Sequence, residues 1–280
     1  MPLRKPAVAG QFYPSDPSEL SSLIDGCYTH PLGPGRSPPA PATDAGAVAV
    51  VSPHAGYVYS GPVAAHSYLH VSSMRNPDTI VVVAPNHYGI GSGVSTFMEG
   101  EWETPLGRMK VDAASAARLV DACELVTADP GAHRLEHSLE VQLPFLQRIY
   151  GDSVPLLPVS MLFQDMDTSI AVSKGLVKVL RGRRAVLIAS SDLTHYEPAA
   201  VAREKDSALI QRVLDMDLNG FYSTLERLDV SACGYGPIAT VMQTAAALGL
   251  GKAELLKHAT SGDAQGDNLQ VVGYAALRFV

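Results

Sequence analysis

The sequence has little charge, few aromatic residues and few cysteines. Charged residues make up 18% of the 280 residues and aromatic residues 6%, whereas hydrophobic residues make up 46%. This balance is typical of a chain that buries a core, and it excludes an intrinsically disordered protein. The three cysteines, Cys27, Cys123 and Cys233, are odd in number and widely spaced. They exclude a disulfide framework and predict a protein of the reducing cytoplasm.

Long charged and long apolar segments are missing as well. The formal net charge is −7 and the chain has no run of Lys and Arg, so we expect no binding to nucleic acid. Pro or Gly breaks the apolar stretches at the length of a strand, so we expect no membrane span. The amino-terminal stretch MPLRKPAVAGQFYPSDP contains no continuous apolar segment, which predicts no secretory signal.

Apolar stretches of strand length alternate with helical stretches along most of the chain. Four stretches read as strands buried on both faces, namely AVAVVS (47–52), TIVVVAP (79–85), VPLLPVSM (154–161) and RAVLIASSD (184–192). Helices are predicted over residues 61–73, 113–123, 136–151, 168–182, 197–216, 218–228 and 236–251. We therefore predict an α/β fold, a single domain over residues 1–280 with a mostly parallel central sheet flanked by helices.

Three segments depart from this alternation. Residues 30–46 are rich in Pro, Gly and Ala, which predicts a flexible surface loop. Short strands and turns over residues 93–112 indicate a hairpin, and the chain ends in two further strands. Pro144 lies within the predicted helix at 136–151 and is expected to kink it or mark a break.

Polar side chains follow three of the predicted strands directly. His54 follows the first strand and His87 the second, while Asp192 ends the fourth and His195 lies just beyond it. Because the carboxyl ends of parallel neighbouring strands meet at one edge of a sheet, we expect these side chains to converge. Two imidazoles at such an edge form a candidate pair of metal ligands.

The loop SACGYGPIAT (231–240) offers a third candidate ligand, Cys233, just before a predicted helix. A helix amino terminus or a bound metal lowers the pKa of a thiol. We therefore hypothesise a His/His/Cys metal site in which Asp192 and His195 transfer protons or support the ligands. Taken singly, each residue also fits an ordinary structural role, such as a histidine bonded to a turn carbonyl or a buried, apolar cysteine.

Six sequence motifs, in this order, resemble those of the Memo family, whose bacterial and archaeal members are called AmmeMemoRadiSam system protein B. The motifs are AGQFYPSDPSEL (9–20), SPHAGYVYSGPVAAHSY (52–68), APNHYG (84–89), EHSLEVQLPFL (136–146), SSDLTHYE (190–197) and CGYGPI (233–238). The resemblance implies a fold akin to that of the class III extradiol dioxygenases, in which a non-haem iron lies at strand ends. It spans nearly the whole chain.

By motif, the resemblance implies that His54, His87 and Cys233 bind the metal and that Asp192 and His195 border the same cavity. Fe²⁺ is the expected metal, although the same ligands suit copper, or zinc with a hydrolytic reaction.

The sequence departs from the relatives at two points. The ring-cleaving dioxygenases carry a carboxylate where Cys233 would be the third ligand. Animal Memo proteins carry a histidine at the position of Gly236. Both differences leave the reaction open.

Further residues near these motifs are candidates for substrate contacts. His137 and Glu140 lie three residues apart on one predicted helix face, as an alternative metal pair or with His137 lining the pocket and Glu140 capping or pairing locally. Tyr57 and Tyr59 either flank a substrate or pack in the core. The stretch GIGSGVSTF (89–97) lacks the spacing of a dinucleotide fingerprint, so no nucleotide cofactor is expected.

Two functions remain open on the sequence. The first is a mononuclear metal-dependent, dioxygenase-like oxidoreductase in which His195 acts as acid and base, oriented by Asp192. The second is a non-catalytic module that binds a peptide or protein in the dioxygenase-like pocket. The resemblance also implies a radical SAM protein and an AMMECR1-like protein as partners, besides an unidentified small-molecule or peptide substrate.

Overall fold

The computed structural model of the protein describes residues 2–39 and 43–280. The strands are β1 (Leu3–Arg4), β2 (Ala47–Ser52), β3 (Thr79–Pro85), β4 (Val94–Thr96), β5 (Glu101–Thr104), β6 (Gly107–Lys110), β7 (Val126–Ala128), β8 (Leu156–Met161), β9 (Ala185–Ser190), β10 (His195–Glu197), β11 (Ala253–Thr260) and β12 (Val271–Phe279). The helices are α1 (Pro17–Thr29), α2 (Tyr57–Val71), α3 (Ala113–Ala122), α4 (His137–Glu140), α5 (Leu143–Tyr150), α6 (Met166–Leu180), α7 (Ala199–Leu214), α8 (Leu218–Leu228), α9 (Tyr235–Ala247) and α10 (Ser261–Gln265). A 3₁₀ helix covers Pro130–His133.

The main sheet is centred on four parallel strands. Its order is β10-β12-β2-β9-β3-β8-β4-β7, and β11 also pairs with β12. The strands β2, β9, β3 and β8 run parallel, whereas β4 is antiparallel to β8 and β12 is antiparallel to β2. The predicted α/β fold is confirmed, and the sheet is mixed because the strands that flank its parallel centre run the other way.

The parallel strands are buried on both faces, as their continuous apolar sequences predict. Along β2 and β9, Val51 and Ala189 belong to one apolar layer, which also holds side chains of α6 and α9. Val50 and Ile188 belong to the opposite layer, together with side chains of α1 and α2. Successive side chains of a strand point to opposite faces, so two helical layers enclose the sheet.

Two predicted helices have different bounds in the structure. The helix predicted from residue 61 begins at Tyr57, with Gly56 as its N-cap, and Pro62 lies inside it. The helix predicted over 136–151 is divided into α4 and α5. Pro144 lies in the first turn of α5. Backbone N–H groups in a first turn have no partner within the helix, so the N–H that proline lacks costs no hydrogen bond there.

The remaining segments mostly follow the prediction. Within residues 93–112, β5 and β6 form the expected hairpin and β1 joins them in a separate small sheet, whereas β4 joins the main sheet. In the predicted loop at 30–46, the described residues form no helix or strand apart from an isolated bridge at Thr43. Residues 40–42 of that loop lie outside the described residues. The two terminal strands are β11 and β12.

The register of the central strands brings three carboxyl ends together. Ser52 of β2 is level with Ser190 of β9, and Val83 of β3 is level with Ala189 of β9. The residues that follow these strands therefore lie at one edge of the sheet, where ligands bind in parallel α/β folds. In the part of the chain that the structure describes, no helix combines the length and the apolar character needed to cross a membrane.

Candidate metal centre

Three side chains from distant parts of the chain meet at this edge of the sheet. One ring nitrogen each of His54 and His87 and the sulfur of Cys233 lie within 4.8 Å of one another. The Cys233 Sγ lies 3.3 Å from His54 Nε2. These are the three ligands that the sequence predicts, and the fold brings them to a common point.

The protonation of His54 follows from the hydroxyl behind it. His54 Nδ1 lies 2.9 Å from Ser190 Oγ, and the Ser190 hydroxyl donates its proton to the Ser138 carbonyl at 2.7 Å. Ser190 can therefore only accept from His54, so Nδ1 carries the hydrogen and Nε2 keeps its lone pair. Burial lowers the pKa of His54 well below its usual value, and the nearby imidazoles of His137 and His87 lower it further. A neutral imidazole with a free Nε2 is the form that binds a metal.

Glu136 holds His87 through Nδ1. The Glu136 carboxylate lies 2.9 Å from His87 Nδ1 and accepts the backbone N–H of His87 at 2.6 Å. Burial by itself would raise the pKa of Glu136. The hydrogen bond from His87, the electrostatic effect of that imidazole and the backbone N–H of Ser138 together bring the pKa down to about 2. An ionised carboxylate only accepts, so His87 Nδ1 donates and Nε2 is the nitrogen that faces away from Glu136. A carboxylate behind a histidine is the usual support of a metal-binding imidazole.

A second group, His87, Glu136 and His137, also brings its donor atoms within 4.8 Å of one another. Glu136 is the weaker candidate ligand, because it already accepts from His87 Nδ1 and from the backbone N–H groups of His87 and Ser138. A metal bound there through Nδ1 would break the His87–Glu136 bond. The group with Cys233 requires no such loss, so it is the better candidate for a metal centre.

The surroundings of Cys233 differ from the sequence prediction. Burial raises the pKa of the Cys233 thiol, and the neighbouring Asp192 carboxylate raises it further. The sequence predicts that the amino terminus of α9, which begins at Tyr235, lowers this pKa. The opposite effect of desolvation is larger. The backbone N–H of Asp192 points to Sγ at 3.3 Å, which provides one donor to a metal-bound thiolate.

Asp192 supports His54 rather than His195. Its Oδ1 accepts the backbone N–H of His54 at 2.8 Å, and its Oδ2 lies 4.0 Å from His54 Nε2. Burial raises the pKa of Asp192 to about 6, although the N–H of His54 acts in the opposite direction. This carboxylate therefore lies next to the candidate metal ligands and has a pKa near 6.

His195 is oriented by Ser231, so the prediction that Asp192 orients it is wrong. Ser231 Oγ accepts the backbone N–H of His195 at 2.8 Å, and the Ser231 carbonyl lies 3.0 Å from His195 Nδ1. A carbonyl only accepts, so Nδ1 is protonated and Nε2 is the nitrogen left for proton exchange. His195 lines the same cavity as the three candidate ligands.

His137 lies in the cavity wall, as predicted. Its ring stacks on that of His87 with 4.7 Å between centroids, and it lies 4.7 Å from the ring of Phe12. Burial lowers the pKa of His137 to about 4 against the opposing effect of Glu136. His137 is therefore a neutral group at pH 7 that can exchange hydrogen bonds with a bound molecule.

Of the two roles predicted for Tyr57 the structure shows core packing, and Glu140 is paired with residues outside its own helix. Tyr57 is 1% exposed and donates its hydroxyl proton to the Val141 carbonyl, so it packs in the core instead of binding substrate. Glu140 is buried and paired with Arg4, and it also accepts from the Tyr13 hydroxyl at 2.5 Å. Its partners are distant in sequence, so it does not pair locally within its own helix.

An open cavity of about 920 Å³ lies in front of the candidate ligands. Its lining includes six side chains that can titrate, namely His54, His87, His137, Asp192, His195 and Cys233. It also includes the aromatic side chains Phe12, Tyr59, Tyr196 and Tyr274. The cavity therefore offers both polar and aromatic side chains to a bound molecule.

Sequence reasoning missed the residues that support the ligands. Glu136 is the most informative of these, because it precedes a predicted helix and an acidic residue there is normally assigned only a capping role. Here it caps α4 through the N–H of Ser138 and also holds His87. Gln142 donates to Ser190 Oγ at 2.8 Å, and nothing in the sequence indicates that contact.

Comparison with known proteins assigns the chain to a family. The family described as "Memo-like protein" matches residues 4–278. A MEMO1 family protein of Methanopyrus kandleri is 48% identical, over 99% of this chain and 98% of the relative. A MEMO1 family protein of Nitrosopumilus maritimus is 42% identical, over 99% of this chain and 100% of the relative.

A solved structure supports the fold alone. The crystal structure of an uncharacterized protein from Escherichia coli superimposes with a TM-score of 0.56 and 15% identity, and it covers 83% of this chain and 99% of that one. The family match and the relatives together extend over nearly all of the sequence, so the chain belongs to the Memo family.

Proposed function

We propose that the protein is a mononuclear metal-dependent oxidoreductase of the dioxygenase type, with the metal held by His54, His87 and Cys233. One observation carries the proposal. Ser190 and Glu136 each accept a hydrogen bond from Nδ1 of one imidazole, so Nε2 of both rings is the nitrogen left for a metal beside Cys233 Sγ. Ligands that are already held in position need little rearrangement when a metal binds.

The donor set fits Fe²⁺ first. Two neutral imidazoles and one thiolate leave coordination positions that a substrate and O₂ can occupy, which is the chemistry that a bound iron would supply. Copper is favoured by soft sulfur, and zinc would direct the site to hydrolysis. Metal analysis decides among the three.

The protein side chains account for proton transfer and orientation. His195 is held through Nδ1 by Ser231, so its Nε2 takes a proton from a bound substrate or returns it. Asp192 is the second candidate for holding a proton beside the metal centre. His137 faces the same space and supplies a hydrogen bond that fixes the substrate.

Anaerobic purification followed by metal analysis tests the metal centre. We expect about one equivalent of iron, lost in His87→Ala and in Cys233→Ala and retained in the exposed control His30→Ala. Retention of a full equivalent in both ligand variants would refute the site.

O₂ uptake with ortho-diphenols tests the catalytic role. His195→Ala is expected to keep its metal and to lose turnover by roughly 10²–10⁴-fold, the usual contribution of a general acid or base. Unchanged turnover in that variant would exclude His195 from the chemistry.

A second candidate function is the binding of a peptide or protein in the same cavity. The exposed ring of Tyr196, 73% accessible at the cavity wall, favours it, since aromatic side chains are enriched in interfaces. A radical SAM protein and an AMMECR1-like protein are the partners proposed for this route. Metal-free protein that binds such a partner as tightly as metal-loaded protein would favour the binding module.

A further inference from the structure

The loop that carries Cys233 is held by a side chain from a distant part of the sequence. Gln164 lies between β8 and α6, and its Nε2 donates to the Cys233 carbonyl at 2.9 Å. Its Oε1 accepts the backbone N–H of Gly236 at 2.9 Å. One side-chain amide thus supplies both the donor and the acceptor that these two backbone groups need. The conformation of the chain from Cys233 to Gly236 is therefore tied to Gln164.

The bond to Gly236 also caps the helix that follows Cys233. Helix α9 begins at Tyr235, and its N-cap, Gly234, has no side chain that could accept an N–H group of the first turn. The first N–H groups of a helix have no partner within it, and Gln164 provides one from outside. The apolar side chains of α9 lie in the core. One side chain therefore joins the loop of Cys233 to a buried helix.

Two glycines allow this close approach. A Cβ at Gly236 would overlap the Gln164 side chain, and a Cβ at Gly234 would overlap the carbonyl oxygen of Ser190 at the end of β9. The short segment after Cys233 is thus packed against Gln164 at one glycine and against β9 at the other. Its position in the fold leaves little room for adjustment.

The residues before Gln164 contact the loop that carries His87. The backbone N–H groups of Leu162 and Phe163 both donate to the Gly93 carbonyl, at 2.8 and 2.9 Å. The Phe163 ring occupies the space that a Cβ at Gly93 would need. The segment that ends at Gln164 therefore contacts the loops of two of the three candidate ligands.

We propose that Gln164 is a positioning residue of the metal centre, which holds Cys233 where its sulfur can share a metal with the two imidazoles. The inference rests on the proposed function in one respect, that Cys233 is a metal ligand. Without the amide, the Cys233 carbonyl loses its donor and the Gly236 N–H loses its acceptor in a part-buried place. Both groups then need new partners, so the loop moves and the sulfur moves with it.

Cobalt binding under argon tests the position of the sulfur without any measurement of activity. Co²⁺ accepts the same nitrogen and sulfur ligands, and its bond to a thiolate gives a charge-transfer band in the near ultraviolet. Cys233→Ser should lack this band, which assigns it. Gln164→Met keeps the length of the side chain and removes both hydrogen bonds. We expect it to bind cobalt about 10–100-fold more weakly, with a weaker band per bound ion.

Two control variants separate positioning from a general loss of packing. Gln211→Met changes an exposed glutamine of α7 and should leave cobalt binding as it is. Tyr222→Phe removes the hydroxyl that donates to the Gln164 backbone carbonyl at 2.8 Å, so it loosens the same segment and keeps the amide. It should keep the band. Equal affinity and band in Gln164→Met and the unchanged protein would overturn the inference, as would an equal loss in Tyr222→Phe.

A variant of the same shape covers the case in which Gln164→Met does not fold. Gln164→Glu keeps an oxygen for the Gly236 N–H and loses the donor to the Cys233 carbonyl. An added negative charge by itself attracts a cation, so a weaker band in this variant indicates a displaced sulfur and supports the inference. A band as strong as that of the unchanged protein overturns it.

Failure of the unchanged protein to bind cobalt refutes the proposed metal centre instead. The hold of Gln164 on Cys233 is then measured by the rate at which iodoacetamide alkylates that thiol, followed by mass spectrometry. Cys27 and Cys123 are buried and serve as internal references. We expect alkylation of Cys233 to be about five times faster or more in Gln164→Met, because a loosened loop opens more often. An equal rate overturns the inference.

Discussion

At the scale of single residues, the group behind each of three cavity histidines decides which ring nitrogen carries the hydrogen. Ser190 and Glu136 determine which nitrogen of His54 and of His87 carries the hydrogen, and the Ser231 carbonyl does the same for His195. In each case the partner can only accept, so three imidazoles present Nε2. The hydrogen-bond acceptors behind these rings therefore decide which nitrogen carries the hydrogen.

Glu136 provides a test at this scale. Glu136→Gln removes the negative charge that polarises the His87 imidazole while keeping the size of the side chain. We expect metal affinity to fall by about 10–100-fold, the usual cost of losing such a support. Metal titration of the variant checks it, with exposed Glu124→Gln as the control. Equal affinities in the two variants would contradict the assigned role.

At the scale of elements, buried contacts fix short segments that carry the site. Glu140 of α4 binds Arg4, the Tyr13 hydroxyl and the backbone N–H groups of Ala7 and Val8. The amino-terminal segment is thereby tied to the helix that follows Glu136. The short helix α4 is held in place by this segment, since four residues form no stable helix alone.

Removing one partner of this buried pair should be costly. Glu140→Gln leaves the Arg4 charge uncompensated, so the free energy of unfolding should fall by about 3–5 kcal/mol. Urea denaturation measures it against Glu99→Gln, an exposed control. The double variant Arg4→Met/Glu140→Gln should lose less than the sum of the two single variants. Additive losses would show that the two side chains do not depend on each other.

The loop that carries Asp192 and His195 rests on a second buried carboxylate. Asp206 of α7 accepts the N–H of Thr194 at 3.0 Å and lies 2.8 Å from His258 Nε2. Gly273 of β12 packs against it so closely that a Cβ there would overlap the carboxylate. The absence of a side chain at Gly273 is what allows α7 to reach this loop.

Two glycine-to-alanine substitutions should therefore change the free energy of unfolding in opposite directions. Gly273→Ala forces Asp206 to move, and we expect the free energy of unfolding to fall by about 1–3 kcal/mol or more. A Cβ at Gly26, inside α1, meets no described atom within 4 Å, so Gly26→Ala should raise stability by about 0.5–1 kcal/mol. Thermal unfolding compares the two, and a neutral Gly273→Ala would refute the close packing.

At the scale of the whole molecule, buried histidines make stability depend on pH. Burial and, to a smaller extent, the Arg4 guanidinium together lower the pKa of His133 to about 3. An unfolded chain protonates this imidazole near pH 6.5, whereas the folded protein does not until about pH 3. Below pH 6.5 the unfolded state thus binds more protons, and stability falls as pH falls.

The His133→Gln variant checks the sign of this effect. Across the window from pH 6.5 down towards pH 4, His133 should contribute a slope of up to about 1.4 kcal/mol per pH unit. Urea denaturation at several pH values should give a shallower loss in His133→Gln than in the unchanged protein. Exposed His30→Gln serves as control and should keep the original slope. An unchanged slope in the His133 variant would show that this imidazole is already protonated in the fold.

The sequence by itself determined the parts that depend on local pattern. Continuous apolar stretches identified β2, β3, β8 and β9, and the residues after them identified His54, His87 and Asp192 as neighbours, because parallel strands end at one edge. The terminal strands and the break before α5 also followed from periodicity and Pro144. These features need only the chain's own spacing to be recognised.

Tertiary structure alone decided the orientation of side chains. It decided between the two roles predicted for Tyr57, which lies in the core, and it placed His195 against Ser231 instead of Asp192. The Glu136–His87 contact joins residues 49 positions apart. Such contacts depend on how separate elements pack, and side chains then adopt whichever hydrogen bonds burial leaves available, which no local pattern encodes.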